Sequence, residues 1–466
     1  MIPVFLGVLL LSLAVAFWSR RGHGHQNAAD FFVASGQFGS VLFFFLAVGE
    51  TYSVATILGF PGGVYAHGTG FVTWFLGYIL LAFPVGYFLN PLIWRAGRRY
   101  GAVTLPDLFA RHFDSRGLEL VVTLASILFL VPLGVMQFVG LDVVLGSLGW
   151  RVSPLLLTGL AGGLAFTYVA ISGIRASAYV AVLKDLLMMA AILLTGLAAL
   201  TAIGPIAARA ALVSAKPMPG PSSWHAELFS ISTILLQSVG FCLVPQSCAY
   251  IFTARSAGAV RRAQVAMPLY MAMFPFLFAV AVFALHQRVG PASPDGVLLF
   301  AARRLLPGWA FGLVMAAASL SALVVLSGIC LALGPLVTRN LVPGLDGDAQ
   351  RHWSKLVMAL YLALSVVGAA GSHTLMVAIN NLFYFGITQT LPGLIAILLL
   401  RRTRPAAIAI GLLAGDAVAL LLHMTGAPVG GINPGFIGLL VNCSLLTVAT
   451  LAWPGPERTP VHVRIT

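Results

Sequence analysis

Apolar runs of about 18 residues or more recur from one end of this chain to the other, each long enough to cross a bilayer as a helix. Of 466 residues, 59% are hydrophobic and 8% charged, whereas a soluble globular chain carries roughly 25% charged residues. No soluble fold of this length hides so much apolar surface. The expected fold class is therefore an all-α integral membrane protein, one membrane domain without a soluble appendage. Cys242, Cys248, Cys330 and Cys443 all lie inside apolar runs without zinc spacing, so neither disulfides nor metal sites are expected.

About thirteen spans are expected, at residues 1–18, 38–64, 71–94, 118–147, 153–172, 177–201, 229–253, 266–286, 308–338, 354–370, 374–400, 406–424 and 434–453. The first has no basic region before it and is followed by Arg20 and Arg21, the reverse of a cleaved signal peptide, so it reads as a retained helix with its N-terminus outside. With that orientation the inward loops collect Arg95, Arg98, Arg99, Arg111, Arg116, Arg175, Arg255, Arg261, Arg262, Arg339, Arg351, Lys355, Arg401, Arg402 and Arg404, and the tail holds Arg458 and Arg464. The outward loops hold Arg151, Arg209, Lys216, Arg288, Arg303 and Arg304. Such asymmetry follows the positive-inside rule. It accounts for the net charge of +13 as topology. Nucleic-acid binding, which gathers basic residues on one soluble face, is excluded. A cell (plasma, inner) membrane location with the C-terminus cytoplasmic is expected.

Two spans are interrupted. The second runs through Gly49, Glu50, Thr51, Tyr52 and Ser53 and ends in Gly59, Phe60, Pro61, Gly62 and Gly63; the seventh carries Gln237, Ser238, Gly240, Pro245, Gln246 and Ser247. They lie five spans apart and so cross in opposite directions, as paired helices of an inverted repeat do. Polar, Gly- or Pro-interrupted spans in matching positions of two halves point to a transporter's midplane site. The bland reading makes each a kinked helix packed by small residues. Thr51, Tyr52, Ser53, Gln137, Gln237, Ser238, Asn380, Asn381 and Tyr384 offer hydroxyls and amides to such a site, each with an interhelical hydrogen bond as its alternative. A carboxylate substrate also finds backbone N–H groups where a helix is broken.

Lys184 is the lysine or arginine that falls well inside a span. An intramembrane charge is costly and reads as functional, with a partner to be named. Glu50, beside the break, is the first choice and Asp185 the second, since neighbours on a helix point in different directions. The alternative is that Lys184, roughly 10 Å along its helix, snorkels to the cytoplasm. Asp142, Asp416 and His423 read as structural or span-end groups. No spacing of histidines for a metal occurs within a span, and an enzyme is not expected.

The stretches ADFFVASG from Ala29, LGFPGGVY from Leu58, TLPDLFARHF from Thr104, SGIRASAYVAVLKDLLM from Ser172 and LVTRN from Leu336 resemble the sodium:solute symporter family over nearly the whole chain. Within it, GETYS from Gly49, MQFVGLDVV from Met136 and VLKD from Val182 are similar to bacterial monocarboxylate permeases. The resemblance implies a LeuT-like 5+5 inverted repeat. Residues 38–201 would form the first repeat and 202–400 an external loop and the second, with 1–37 an extra helix and loop and 401–466 two peripheral helices and a tail. It also implies a sodium ion held by carbonyls near Gly49 and Tyr52 and hydroxyls of the ninth span. Counted from TRN, those hydroxyl positions fall on Val324 and Val325, and the acidic position of the sixth span is Ala181; Ser319, Ser321 and Ser327 lie nearby, and a gap in the alignment would restore one or two hydroxyls. The Lys184 ammonium group is the expected replacement for the ion, with no other cofactor. Together these imply a proton-coupled, sodium-independent permease for a small organic acid such as pyruvate, lactate or acetate. The alternative is a sodium-coupled symporter of an amino acid, sugar or vitamin.

Overall fold

The computed structural model describes residues 1–19, 28–149, 154–204, 224–287, 289–370, 372, 375–427 and 429–461; the side chains of residues 28, 29, 50, 51, 154, 155, 157, 158, 171 and 172 lie outside that description. So do Arg20, Arg21, Arg151, Arg209, Lys216, Arg288 and Arg464, seven of the loop and tail charges on which the orientation argument drew.

The described residues form helices. In chain order these are α1 (Ile2–Trp18), α2 (Ala28–Val33), α3 (Ser40–Thr51), α4 (Phe60–His67), α5 (Thr69–Tyr100), α6 (Leu105–Phe113), α7 (Arg116–Gly146), α8 (Pro154–Ser172), α9 (Ile174–Ile203) and α10 (Trp224–Gly240). There follow α11 (Pro245–Thr253), α12 (Ala257–Ala266), α13 (Phe274–Leu285), α14 (Val297–Leu305), α15 (Gly308–Pro335), α16 (Gly347–Ala370), α17 (Met376–Ile387), α18 (Leu391–Leu399), α19 (Pro405–Thr425) and α20 (Pro434–Ala452). Among the described residues, nine helical stretches are long and apolar enough to cross a membrane, and α10 with α11, bent by 41°, makes ten.

Thirteen spans were expected, and the shortfall has local causes. The first, α1, has 17 residues. The second is split at Tyr52 into α3 and α4. The fifth contributes the apolar stretch Gly159–Ala170 from the described part of α8. The eighth begins earlier than its apolar run, because Ala257–Leu285 continues through a 3-10 segment at Met267–Met273.

α15 is the central helix, with 94% of its apolar window buried inside the protein. It packs against α1, α7, α9 and α16. A helix buried on all sides needs small residues for close approach, and α15 reads GWAFGLVMAAASLSALVVLSGICLALGP.

The basic ends of the spans meet on one face. The carboxylate of Asp107 on the amphipathic loop helix α6 accepts from Arg339 Nε at 3.0 Å and from Asn340 Nδ2 at 2.9 Å, while Asn340 Nδ2 also donates to Glu119 at 2.7 Å. Asp107 doubles as the third residue of a capping box with Thr104. Arg175 pairs with Asp30 at 2.7 Å and donates to Gln37 at 3.2 Å. Phe38 N donates to Thr253 O at 2.8 Å and Arg255 N to Phe38 O at 3.0 Å, which fastens the start of the second span to the end of the seventh. On the opposite face a short turn, Pro294–Gly296, lies across α4. The carbonyl of Pro294 sits 2.6 Å from where a side chain on Gly62 would begin. Asp295 accepts from the Met376 N–H at the start of α17, 3.3 Å away. Contacts therefore bridge the second span to its neighbours at both ends.

Candidate coupling and substrate site

The second span breaks where its sequence stops favouring a helix. Tyr52 takes φ −100° and ψ 64°, outside the helical region, while its N–H still donates to Val48 O at 3.0 Å. The chain re-enters through a π turn at Ala55–Gly59 and then α4, where Pro61 occupies a first-turn position that needs no N–H partner.

The Tyr52 carbonyl accepts from two side chains, Lys184 Nζ on α9 and Ser321 Oγ on α15, both at 3.1 Å. Lys184 Nζ also lies 2.6 Å from Asp185 Oδ1, and both side chains are fully buried. The ammonium group curls inward and does not reach the basic face, as snorkelling would require. Its observed carboxylate is Asp185, the second choice from sequence. The Glu50 and Thr51 side chains lie outside the described residues. Neither oxygen of Asp185 accepts a further hydrogen bond among the described residues, so Lys184 supplies its compensation. Gly49 makes the close approach feasible: a Cβ there would stand 3.2 Å from Nζ.

The next level of the α9–α15 seam is apolar. Ala181, Val324 and Val325 are buried. One level further, Ser177 Oγ and Ser327 Oγ share a hydrogen bond of 2.8 Å. Ser321, Val324 and Ser327 recur every three residues and so share one face of α15, which sets Val324 between the two polar levels. Ser319 is buried without a partner for its hydroxyl among the described residues.

A second polar cluster joins α5, α10 and α17. Gln237 Nε2 donates to Asn381 Oδ1. Asn380 bonds the hydroxyl of Tyr78, and the rings of Tyr78 and Tyr384 lie 5.9 Å apart. Gln237 Oε1 has no partner among the described residues. Gln137 on α7 is fully buried, and neither of its amide atoms has a partner among the described residues. It lies one turn from Gly140, which has no side chain and lets α7 close on Val54 beside the break. An unmade buried hydrogen bond costs about 1–3 kcal/mol, so this amide is poised for a ligand or an ordered water.

Other expected contacts point elsewhere. Ser238 Oγ donates to Leu235 O of its own helix at 3.1 Å. The Tyr52 hydroxyl donates to Tyr270 O, so Tyr52 offers the site its backbone. Ser53 is buried at the break. Tyr78 and Tyr270 gave no signal in sequence, since a tyrosine in an apolar run looks like any other packing residue.

The model of the sodium:solute symporter family matches residues 31–399. An uncharacterized symporter of Bacillus subtilis (strain 168), YhjB, is 26% identical with 96% of each chain covered. A monocarboxylate transport permease protein of Rhizobium johnstonii is 25% identical, covering 73% of this chain and 70% of its own. Among solved structures, a Na+-coupled sialic acid symporter in a substrate-bound outward-open state is similar at a TM-score of 0.80 and 18% identity, with 98% of each chain covered. MhsT in complex with L-phenylalanine is similar at 0.52 and 16%, covering 88% of this chain and 98% of that one.

Proposed function

The chain belongs to the sodium:solute symporter family, and from that premise we propose that it is a proton-coupled, sodium-independent permease for a small monocarboxylate, working by alternating access across the cell (inner) membrane. The observation that carries the reading is the Lys184 ammonium group, bonded to the Tyr52 carbonyl and paired with Asp185. It joins the broken second span to α9, as a bound cation would. At the positions where the family resemblance expects ion-binding side chains, Ala181, Val324 and Val325 offer no side-chain oxygen, whereas a metal cation that prefers hard ligands needs several oxygens.

In the proposed cycle the Lys184–Asp185 pair gains and loses one proton as the site is wetted alternately from either side. When the ammonium group lets go of Tyr52, α3 and α4 are free to move relative to α9. The substrate carboxylate is received by backbone N–H groups at the breaks, with Gln137, Gln237, Asn380 and Asn381 completing the pocket. The choice of a monocarboxylate is supported by the Rhizobium permease, 25% identical. The basic face is assigned to the cytoplasm by the positive-inside rule, which puts the N-terminus outside.

The test is uptake of labelled pyruvate, lactate and acetate into proteoliposomes under separately imposed sodium and proton gradients. Accumulation driven by an inward proton gradient without sodium is expected. A full requirement for sodium at constant pH overturns the coupling, and failure of all three acids overturns the substrate class.

A further inference from the structure

Between α5, α9 and α13, on the bilayer side of the helices, lies a cavity of about 710 Å³ whose lining residues carry no charge. Its walls include Val72, Leu76 and Leu80 from α5 and Phe278 and Ala279 from α13, with Leu200 from the end of α9. Thr69 and Thr73, the polar lining residues, stand at the rim near the start of α5, on the face away from the basic residues. Thr69 to Leu80 is about 16 Å of helix at 1.5 Å per residue, half the roughly 30 Å hydrocarbon core. The antiparallel wall, Met271 to Val282, covers a similar rise. The cavity thus runs from the polar boundary to the bilayer midplane, polar where headgroups lie and apolar below. It is continuous with the lipid-facing belt, where Leu80 and Leu200 are 50% and 40% exposed.

We propose that this cavity is a binding site for one acyl chain of a phospholipid in the leaflet opposite the basic face. A depth of one leaflet, a polar rim and continuity with the membrane surface fit that occupant. The chain would also matter to transport. Phe60 of α4 lines the cavity and stacks edge-on with Phe274 at 4.9 Å. Phe274 in turn lies 6.1 Å from the ring of Tyr52, whose carbonyl holds Lys184. A resident chain therefore buttresses the aromatic wall behind the break, and α4 cannot tilt outward without disturbing it.

The experiment uses the full chain in phosphatidylethanolamine/phosphatidylglycerol vesicles doped with a phospholipid bearing a diazirine in its acyl chain. Irradiation and peptide mapping should label residues 69–80 and 271–282 several-fold more than residues 356–367 of α16, a lipid-facing stretch. Val72→Trp fills the cavity from one wall and should remove most of the label from the other, residues 271–282. Leu360→Trp, a substitution at a residue 62% exposed, should leave it. Even labelling of all three stretches, or undiminished labelling of Val72→Trp, overturns the site. Displacement of the label by an excess of free fatty acid overturns the phospholipid assignment and makes the cavity an entry for apolar acids. The labelling reads no transport, so it stands or falls apart from the proposed coupling.

Discussion

Replacing Lys184 by methionine tests the coupling proposal most directly. The substitution keeps the length and apolar stem of the side chain but strands Asp185, whose oxygens accept no other hydrogen bond among the described residues. Breaking a buried ion pair from one side costs about 3–5 kcal/mol, a loss of roughly two to three and a half decades in the folding equilibrium at 1.4 kcal/mol per decade. A drop in stability alone therefore says nothing about transport. Lys184→Met combined with Asp185→Asn removes both charges, and most of the lost stability should return, since neutral replacements of buried pairs are often tolerated. Proton-driven accumulation should not return, while exchange of labelled for unlabelled substrate at equal pH on both sides should persist. Thermal unfolding in detergent, counterflow and gradient-driven uptake, measured on the same preparations, separate these effects. If a well-folded double variant accumulates substrate against its gradient as the parent does, the pair is structural and another group moves the proton.

Other consequences follow from single contacts. Gly49→Ala places a methyl group 3.2 Å from Lys184 Nζ in a helix where alanine is favoured over glycine by about 1 kcal/mol; thermal stability should hold or rise while proton-driven accumulation falls several-fold, and unchanged accumulation refutes the proposed contact. Gln137→Leu removes an amide with no partner among the described residues, so stability should not suffer, yet substrate affinity should fall about tenfold, the equivalent of one hydrogen bond at roughly 1.4 kcal/mol; equal affinity in a binding assay removes Gln137 from the pocket. Asp295, in the turn outside the spans, has its carboxyl pushed up to about 6 by burial, which the Met376 N–H only partly offsets. A raised acid contributes stability that is complete below its unfolded value and lost as pH rises through about 6, here roughly 3 kcal/mol. Asp295→Asn should flatten that loss in unfolding curves between pH 4 and 7, and a variant as steep as the parent refutes it.

The membrane class and both breaks were legible in the sequence because they depend on composition, glycine and proline. The lysine was legible as well, for a charge inside an apolar run stands out whatever its surroundings. Of its two candidate carboxylates, Asp185 lies 2.6 Å from Nζ, since a lysine stem is long enough to fold back on its neighbour although adjacent side chains diverge at Cβ, while the Glu50 side chain lies outside the described residues. Fewer of the described helices are long and apolar enough to cross a membrane than the spans expected, for a related reason. Hydropathy registers an apolar run without registering where the backbone leaves the helix, as it does at Tyr52. Tyr78 and Tyr270 were invisible, since their roles lie in hydroxyl and carbonyl contacts between helices distant in sequence.

A tethered cation changes the physics of coupling in one respect that the proposed cycle must meet. A diffusing ion binds by mass action, so its gradient sets how often the site is filled. The Lys184 ammonium group is attached to α9, and no gradient of lysine exists; only a change in its protonation or in that of Asp185 can alter its hold on Tyr52. Ser321 makes such a change tolerable. Its hydroxyl donates to the same carbonyl at 3.1 Å, so the acceptor is not orphaned when the ammonium group withdraws, and the cost falls from that of a bare buried carbonyl, about 1–3 kcal/mol, toward that of one exchanged hydrogen bond. A small gap is what alternation needs, because states separated by a few kcal/mol exchange readily while states separated by many do not. By this reasoning Ser321→Ala should leave Lys184 as the carbonyl's remaining side-chain donor, hold the second span more tightly against α9, and slow exchange and accumulation together; exchange as fast as in the parent, measured by counterflow, would remove Ser321 from the cycle.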